Sequence, residues 1–229
     1  SRAIVQGYVG LAIALAVIAG VVWLLRDRLK GERHENASLL SGLALLRRPR
    51  FGFGALSIFL YVGAEVAIGS LLVSYLEQSH ALGLTEQQAG KLIPFYWGGA
   101  LVGRFIGSAT LRFINPGVAL AGVALSAITL VLVAAGMAGP VGAYALLAVG
   151  LANAIMFPTI FSLACAGLGA RTADGSGVIN VAICGGAIVP LLVGGLADWS
   201  GSLSVALMIP VACYAAIGVY GLFARRPVA

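Results

Sequence analysis

VALAGVALSAITLVLVAA, residues 118–135, decides the fold class. The run has no charged side chain, and its few polar residues, Ser126 and Thr129, do not alternate with apolar ones. A strand crossing a bilayer needs about ten residues of alternating polarity. A helix crossing it needs about 20 largely apolar residues and no alternation. The run is therefore read as a helix in lipid, where each backbone polar group must be bonded within its own segment.

Runs of the same kind lie on either side of it, at about residues 51–76, 92–113, 141–166, 177–197 and 203–223. Ahead of them all is an apolar stretch at residues 3–25, which as a helix reaches about 35 Å at 1.5 Å per residue. With residues 117–137, this makes about seven spans. Composition agrees: 60% of the 229 residues are hydrophobic and 10% charged, and the mean hydropathy is +1.02. Soluble domains carry about 25% charged residues, so this chain needs lipid as its solvent. The predicted fold class is all-α, a polytopic transmembrane helix bundle.

The formal net charge is +6. A basic balance can mark nucleic-acid binding, but here the cations flank the spans, so the implied partner is the bilayer and not a nucleic acid. Arg26, Arg28, Lys30, Arg33, Arg47, Arg48 and Arg50 fall in one connection; Arg225 and Arg226 close the chain. The connection at 77–90 holds Glu77 and Glu86 and no Lys or Arg, Arg112 ends the third span, the turn at 138–140 is uncharged, Arg171 lies in the next with Asp174, and the turn at 198–202 has Asp198 alone. Basic and non-basic connections thus alternate. The excess of cations in cytoplasmic loops places residue 1 outside and the C-terminus in the cytoplasm, as expected of a multi-pass inner-membrane protein. The sequence begins at Ser1 and runs directly into an apolar segment too long for a signal-peptide core. It reads as a piece of a longer chain: 1–25 as the last helix of an upstream half, 26–50 as a basic cytoplasmic linker, and 51–229 as a six-helix bundle. Within the linker, residues 38–46 are amphipathic and stopped by Pro49, as in a segment lying on the membrane surface.

Thirty-two glycines fit close helix approach in lipid. Gly99, Gly103 and Gly107 share one face of the third span, and Ala182, Gly186, Pro190 and Gly194 share one face of the sixth; both are expected to be close-packed seams. Pro158 frees the carbonyl of Ala154, and Pro190 interrupts the sixth span near Gly185 and Gly186. Kinks of this kind are tolerated at depth where they face protein or a cavity.

Chemistry narrows to few residues. Glu65, near the middle of the second span, is the sharpest signal, because an ionised carboxylate at the bilayer centre costs roughly 2.5–3.5 kcal/mol. It persists if it faces a wet cavity, is paired, or carries a proton. Tyr61 lies one turn earlier on the same face, and a phenol beside a carboxyl suits a polyhydroxylated solute. Asn153, ahead of Pro158, and Asn180, early in the sixth span, are candidate amide ligands or interhelical glue. Tyr96 and Trp97 are candidates for stacking on a sugar ring or for anchoring at the interface. Arg104 is expected to be structural, its side chain reaching the cytoplasmic surface. Cys165, Cys184 and Cys213 read as small buried hydrophobes, and His34 and His80 as solvated loop residues. The chain carries no nucleophile–base pair, metal-ligand spacing or phosphate cradle, so it does not read as an enzyme and implies no cofactor.

These residues resemble a family. LLRRPRFGFGALSIFLYVGAEVAIGSLL (residues 45–72), GGALVGRFIGS (98–108), MFPTIFSLACAGLG (156–169) and GSGVINVAICGGAIVPLLVGGLAD (175–198) are similar to the seventh, eighth, tenth and eleventh helices of the fucose–galactose–glucose:proton symporter branch of the major facilitator superfamily. The resemblance implies the C-terminal half of that fold plus one preceding helix, a sugar bound between two six-helix halves, and proton-coupled hexose or deoxyhexose transport by alternating access. It places Glu65 at a seventh-helix position where an acid or its amide is usual, which makes Glu65, with Tyr61, Asn153 and Asn180, a candidate sugar ligand. The principal proton-carrying carboxylates are expected in the N-terminal half. The loop after the eighth helix lacks the acidic residue of the superfamily's loop signature. The competing expectation is a non-transporting membrane sensor or assembly module with a transporter-like fold, since fold alone does not fix function.

Overall fold

The structure, a computed structural model, describes residues 2–25 and 39–226. Arg26, Arg28, Lys30, Arg33, His34 and Ser38, and with them most of the expected linker, lie outside the described residues. Two units are distinct, residues 1–36 and 37–229. The first consists of α1 (Arg2–Leu25), whose described side chains are exposed.

In the second unit every regular element among the described residues is helical: α2 (Leu39–Ala44), a 3₁₀ turn (Leu45–Arg47), α3 (Pro49–Glu77), α4 (Glu86–Gly90), α5 (Ile93–Thr110), α6 (Pro116–Gly136), α7 (Pro140–Asn153), α8 (Met156–Cys165), α9 (Thr172–Ala182), α10 (Gly185–Ser200), α11 (Leu203–Ala206) and α12 (Met208–Ala224). Proline opens α3, α6 and α7, where its fixed φ suits the first turn and its missing N–H costs nothing. Asn115 caps α6 by accepting from Gly117 N at 2.9 Å, and Thr85 forms a capping box with Gln88 ahead of α4. Gly201, at φ +64°, stops α10 in the left-handed conformation that glycine adopts freely.

Counting α1, six helical segments among the described residues are long and apolar enough to cross a membrane. The seventh expected span, α5, is diluted by Arg104 and four glycines. The chain is a multi-pass helical membrane protein. Three expected spans are interrupted helices. Residues 141–166 divide into α7 and α8 at Ala154–Ile155; residues 177–197 belong to α9 and α10, divided at Ile183–Cys184; and α11 precedes α12. The first break falls where Pro158 frees the Ala154 carbonyl. The second precedes Pro190, which sits inside a continuous α10.

Other readings are refined or corrected. Pro49 opens α3 as well as ending the amphipathic piece, and that piece is docked: Leu45 is fully buried, and a methyl on Gly42 would meet Val178 at 2.9 Å. The α5 seam lies as expected, with Gly99, Gly103 and Gly107 against Leu151 and Ile155. The α10 seam is only partly as expected: Gly186 packs on Val62 and Val66, but the tighter contacts fall one residue earlier. Gly194 faces open space, whereas Gly185, Val189 and Val193 are buried, with Gly185 against the Phe59 carbonyl and Val189 against Gly63. Cys184 is exposed at the α9–α10 break and Cys165 only half-buried, leaving Cys213 as the buried thiol.

The bundle has two chemically different ends. At one, Arg50 donates from Nε to Leu163 O (2.9 Å), from Nη1 to Arg226 O (2.8 Å) and from Nη2 to Ala224 O (2.9 Å), while Asn115 Nδ2 donates to Arg225 O at 3.1 Å. One guanidinium thus satisfies carbonyls that the ends of α8 and α12 leave unbonded. At the other end, Tyr75 Oη donates to Ala134 O, and Gly139 N donates to His80 O at 2.7 Å. Glu77 and Glu86 lie at this second end together with Lys91, which caps α4.

Candidate functional site

Midway along the bundle, α3, α5 and the α7–α8 break bring polar groups together. The period of α3 sets Tyr61 and Glu65 on one face, and Tyr61 Oη donates to Glu65 Oε1 at 2.7 Å. The same hydroxyl is 3.2 Å from Asn153 O. Asn153 is the last residue of α7, and its Nδ2 donates to Tyr96 Oη at 3.1 Å. Tyr96 in turn donates to Glu65 O at 3.3 Å. Four residues from three elements thus form one hydrogen-bonded cluster, in which the single Tyr61 hydrogen has Glu65 Oε1 and Asn153 O within reach.

Burial separates their roles. Tyr96 and Asn153 are 0% exposed and Tyr61 is 4% exposed, while Glu65 is partly exposed. Of the four, only Glu65 is partly exposed; Tyr61 bonds its carboxyl and Tyr96 its backbone carbonyl. Asn153 therefore lies behind the site and touches Glu65 only through the tyrosines. Asn180 is exposed at the end of α9, with its side chain outside the cluster's hydrogen bonds.

Aromatic rings lie beside the two tyrosines that bond Glu65. Phe157, half-buried, has its ring 6.3 Å from that of Tyr61 and stacks on Phe161. Trp97, 48% exposed, lies edge-on to Tyr96 and against α3 one turn beyond Glu65, where a methyl on Gly69 would meet it at 3.4 Å. Arg104 is exposed, and no salt bridge joins it to Glu65.

Sequence reading missed Tyr214. It is fully buried and close enough to Asn153 for the side chains to interact, although neither Tyr214 Oη nor Asn153 Oδ1 makes a hydrogen bond of ordinary geometry. The available signal was a tyrosine in the middle of an apolar span, since a buried phenol normally finds a partner. The partner on another helix had no signal in the sequence.

A family model described as the Major Facilitator Superfamily matches residues 4–191. The chain is 44% identical over 219 residues to a glucose/galactose transporter of Brucella abortus, covering 96% of this chain and 53% of that protein. It is 33% identical over 223 residues to the L-fucose-proton symporter of Escherichia coli, covering 93% and 49%. A crystal structure of the Escherichia coli fucose:proton symporter FucP matches with a TM-score of 0.78 at 32% identity, over 87% of this chain and 48% of that one. Another, in the outward conformation, gives a TM-score of 0.77 over 87% and 47%. The chain spans about half the length of the curated relatives it matches.

Proposed function

The chain belongs to the major facilitator superfamily, and from that premise we propose that it supplies the C-terminal half of a hexose or deoxyhexose:proton symporter. The observation that carries this reading is the partly exposed Glu65, hydrogen-bonded at mid-span by Tyr61 and Tyr96, with Phe157 and Trp97 beside those tyrosines. A carboxyl accepts hydrogen bonds from sugar hydroxyls, and aromatic faces pack against the apolar face of a sugar ring. The relatives named as glucose/galactose and fucose transporters support the same substrate class.

Glu65 is the direct ligand in this reading, and Trp97 and Phe157 are the platform. Tyr61 orients the carboxyl, Asn153 acts through Tyr96, and Asn180 joins the site once an N-terminal half faces it. That half supplies the opposing wall and the principal proton carrier. The halves rock about the bound sugar, in the inner membrane, with the C-terminus in the cytoplasm.

The test is proton-driven uptake of glucose, galactose and fucose by the full-length native protein in vesicles. A sugar-dependent proton influx is expected. Glu65→Ala is expected to cut uptake at least tenfold, as loss of a charged hydrogen-bonding partner does at about 1.5–3 kcal/mol. Unchanged sugar affinity and uptake in that variant would remove Glu65 from the site. Absence of any sugar-dependent proton movement in the native protein would overturn the function.

A further inference from the structure

The phenol of Tyr61 has one hydrogen and two acceptors within reach: Glu65 Oε1 at 2.7 Å and Asn153 O at 3.2 Å. They belong to different parts of the molecule. The carboxyl is carried by α3. The carbonyl is in the last turn of α7, immediately before the Ala154–Ile155 interruption, where helix carbonyls run out of intrahelical partners. With Tyr61 4% exposed and Asn153 0% exposed, water does not replace the phenol at that carbonyl. The shorter of the two distances is to Glu65, which marks that oxygen as the phenol's acceptor in the absence of sugar.

We propose that Tyr61 is a positioning residue that hands its hydrogen bond from Glu65 to the Asn153 carbonyl when a sugar hydroxyl occupies Glu65, and so couples occupancy of the site to the α7–α8 break. The idea rests on the reading of Glu65 as the sugar-facing carboxyl. A sugar hydroxyl donating to Oε1 competes with the phenol for that oxygen. Rotation of the O–H about the phenolic C–O bond then redirects it by 3.2 Å geometry already in place, with no heavy atom displaced. The new bond ties the last turn of α7 to α3. Asn153 is suited to receive it, because its side chain is already fixed by Tyr96.

The test is hydrogen–deuterium exchange of the amides at 154–157 in the full-length native protein, with and without saturating galactose, glucose or fucose. Sugar is expected to slow exchange at the break at least threefold. Without sugar, Glu65→Ala is expected to show the same slowing, because it leaves Tyr61 only the carbonyl. The double variant with Tyr61→Phe is expected to reverse it. Tyr61→Phe alone is expected to bind sugar more weakly and, once saturated, to show no change at 154–157. Should the phenylalanine variant not fold, Glu65→Gln is the second probe: its neutral amide is a weaker acceptor, and slowed exchange is expected with Tyr61 intact. Unslowed exchange in ligand-free Glu65→Ala or Glu65→Gln, or retained sugar-induced slowing in Tyr61→Phe, would overturn the coupling. A native protein that binds none of the sugars would defeat the transport reading alone, since the ligand-free variants still read the switch.

Discussion

Asn153 shows how a polar side chain earns a place at the middle of an apolar bundle. Its amide nitrogen fixes Tyr96, but its Oδ1 and the adjoining Tyr214 Oη are left without partners. A buried polar atom with no hydrogen bond costs about 1–3 kcal/mol. Tyr214→Phe removes one such atom at constant ring volume, so it is expected to leave stability unchanged or raise it by about 1 kcal/mol. The unfolding midpoint in detergent measures this, and a fall of several degrees would show that the hydroxyl is bonded in the native protein. The Tyr61–Glu65 pair was legible in the sequence, because helix period alone puts residues four apart on one face. The Asn153–Tyr96 bond was not, because it joins residues 57 positions apart.

At the scale of elements, small residues decide which helices approach. A methyl on Gly150 would collide with the Tyr96 carbonyl, so α7 lies against α5 at the level where Tyr96 meets Asn153. Gly150→Ala is expected to destabilise by about 1–3 kcal/mol, the usual cost of overpacking, and to disturb the site as well. Gly98→Ala, on the open face of the same α5 contact, is the control and is expected to be neutral. Thermal unfolding of both variants in detergent checks the contrast; equal midpoints would show that α5 and α7 can part without cost. The α5 seam was readable from its four-residue spacing. The expected α10 seam holds at Gly186, which packs on Val62 and Val66, but the tighter contacts fall one residue earlier, at Gly185 and Val189, and Gly194 faces open space.

At the scale of the molecule, Arg50 gathers the ends of α3, α8 and α12 at one end of the bundle, beside Arg225 and Arg226. Glu77, Glu86 and the capping Lys91 lie at the other. This agrees with the alternation of charge read along the chain. A cytoplasm-dependent reporter fused after Ala229 is expected to be active, and one inserted at Ser79 inactive, in cells making the full-length protein. The opposite pattern would invert the topology.

Composition, run length and charge by themselves determined that this chain is a bundle of lipid-embedded helices. Those properties are local: a backbone in hydrocarbon must satisfy its own hydrogen bonds, so any sufficiently long apolar run becomes a helix. They also singled out Glu65, because a charge at mid-membrane is costly wherever its helix packs. Only the tertiary structure decided that Asn153 stands behind the carboxyl, that Tyr214 adjoins it, and which faces of the broken helices are buried. Those outcomes depend on which side chains from distant parts of the chain meet, and apolar faces that are all alike to lipid carry no record of that in their order.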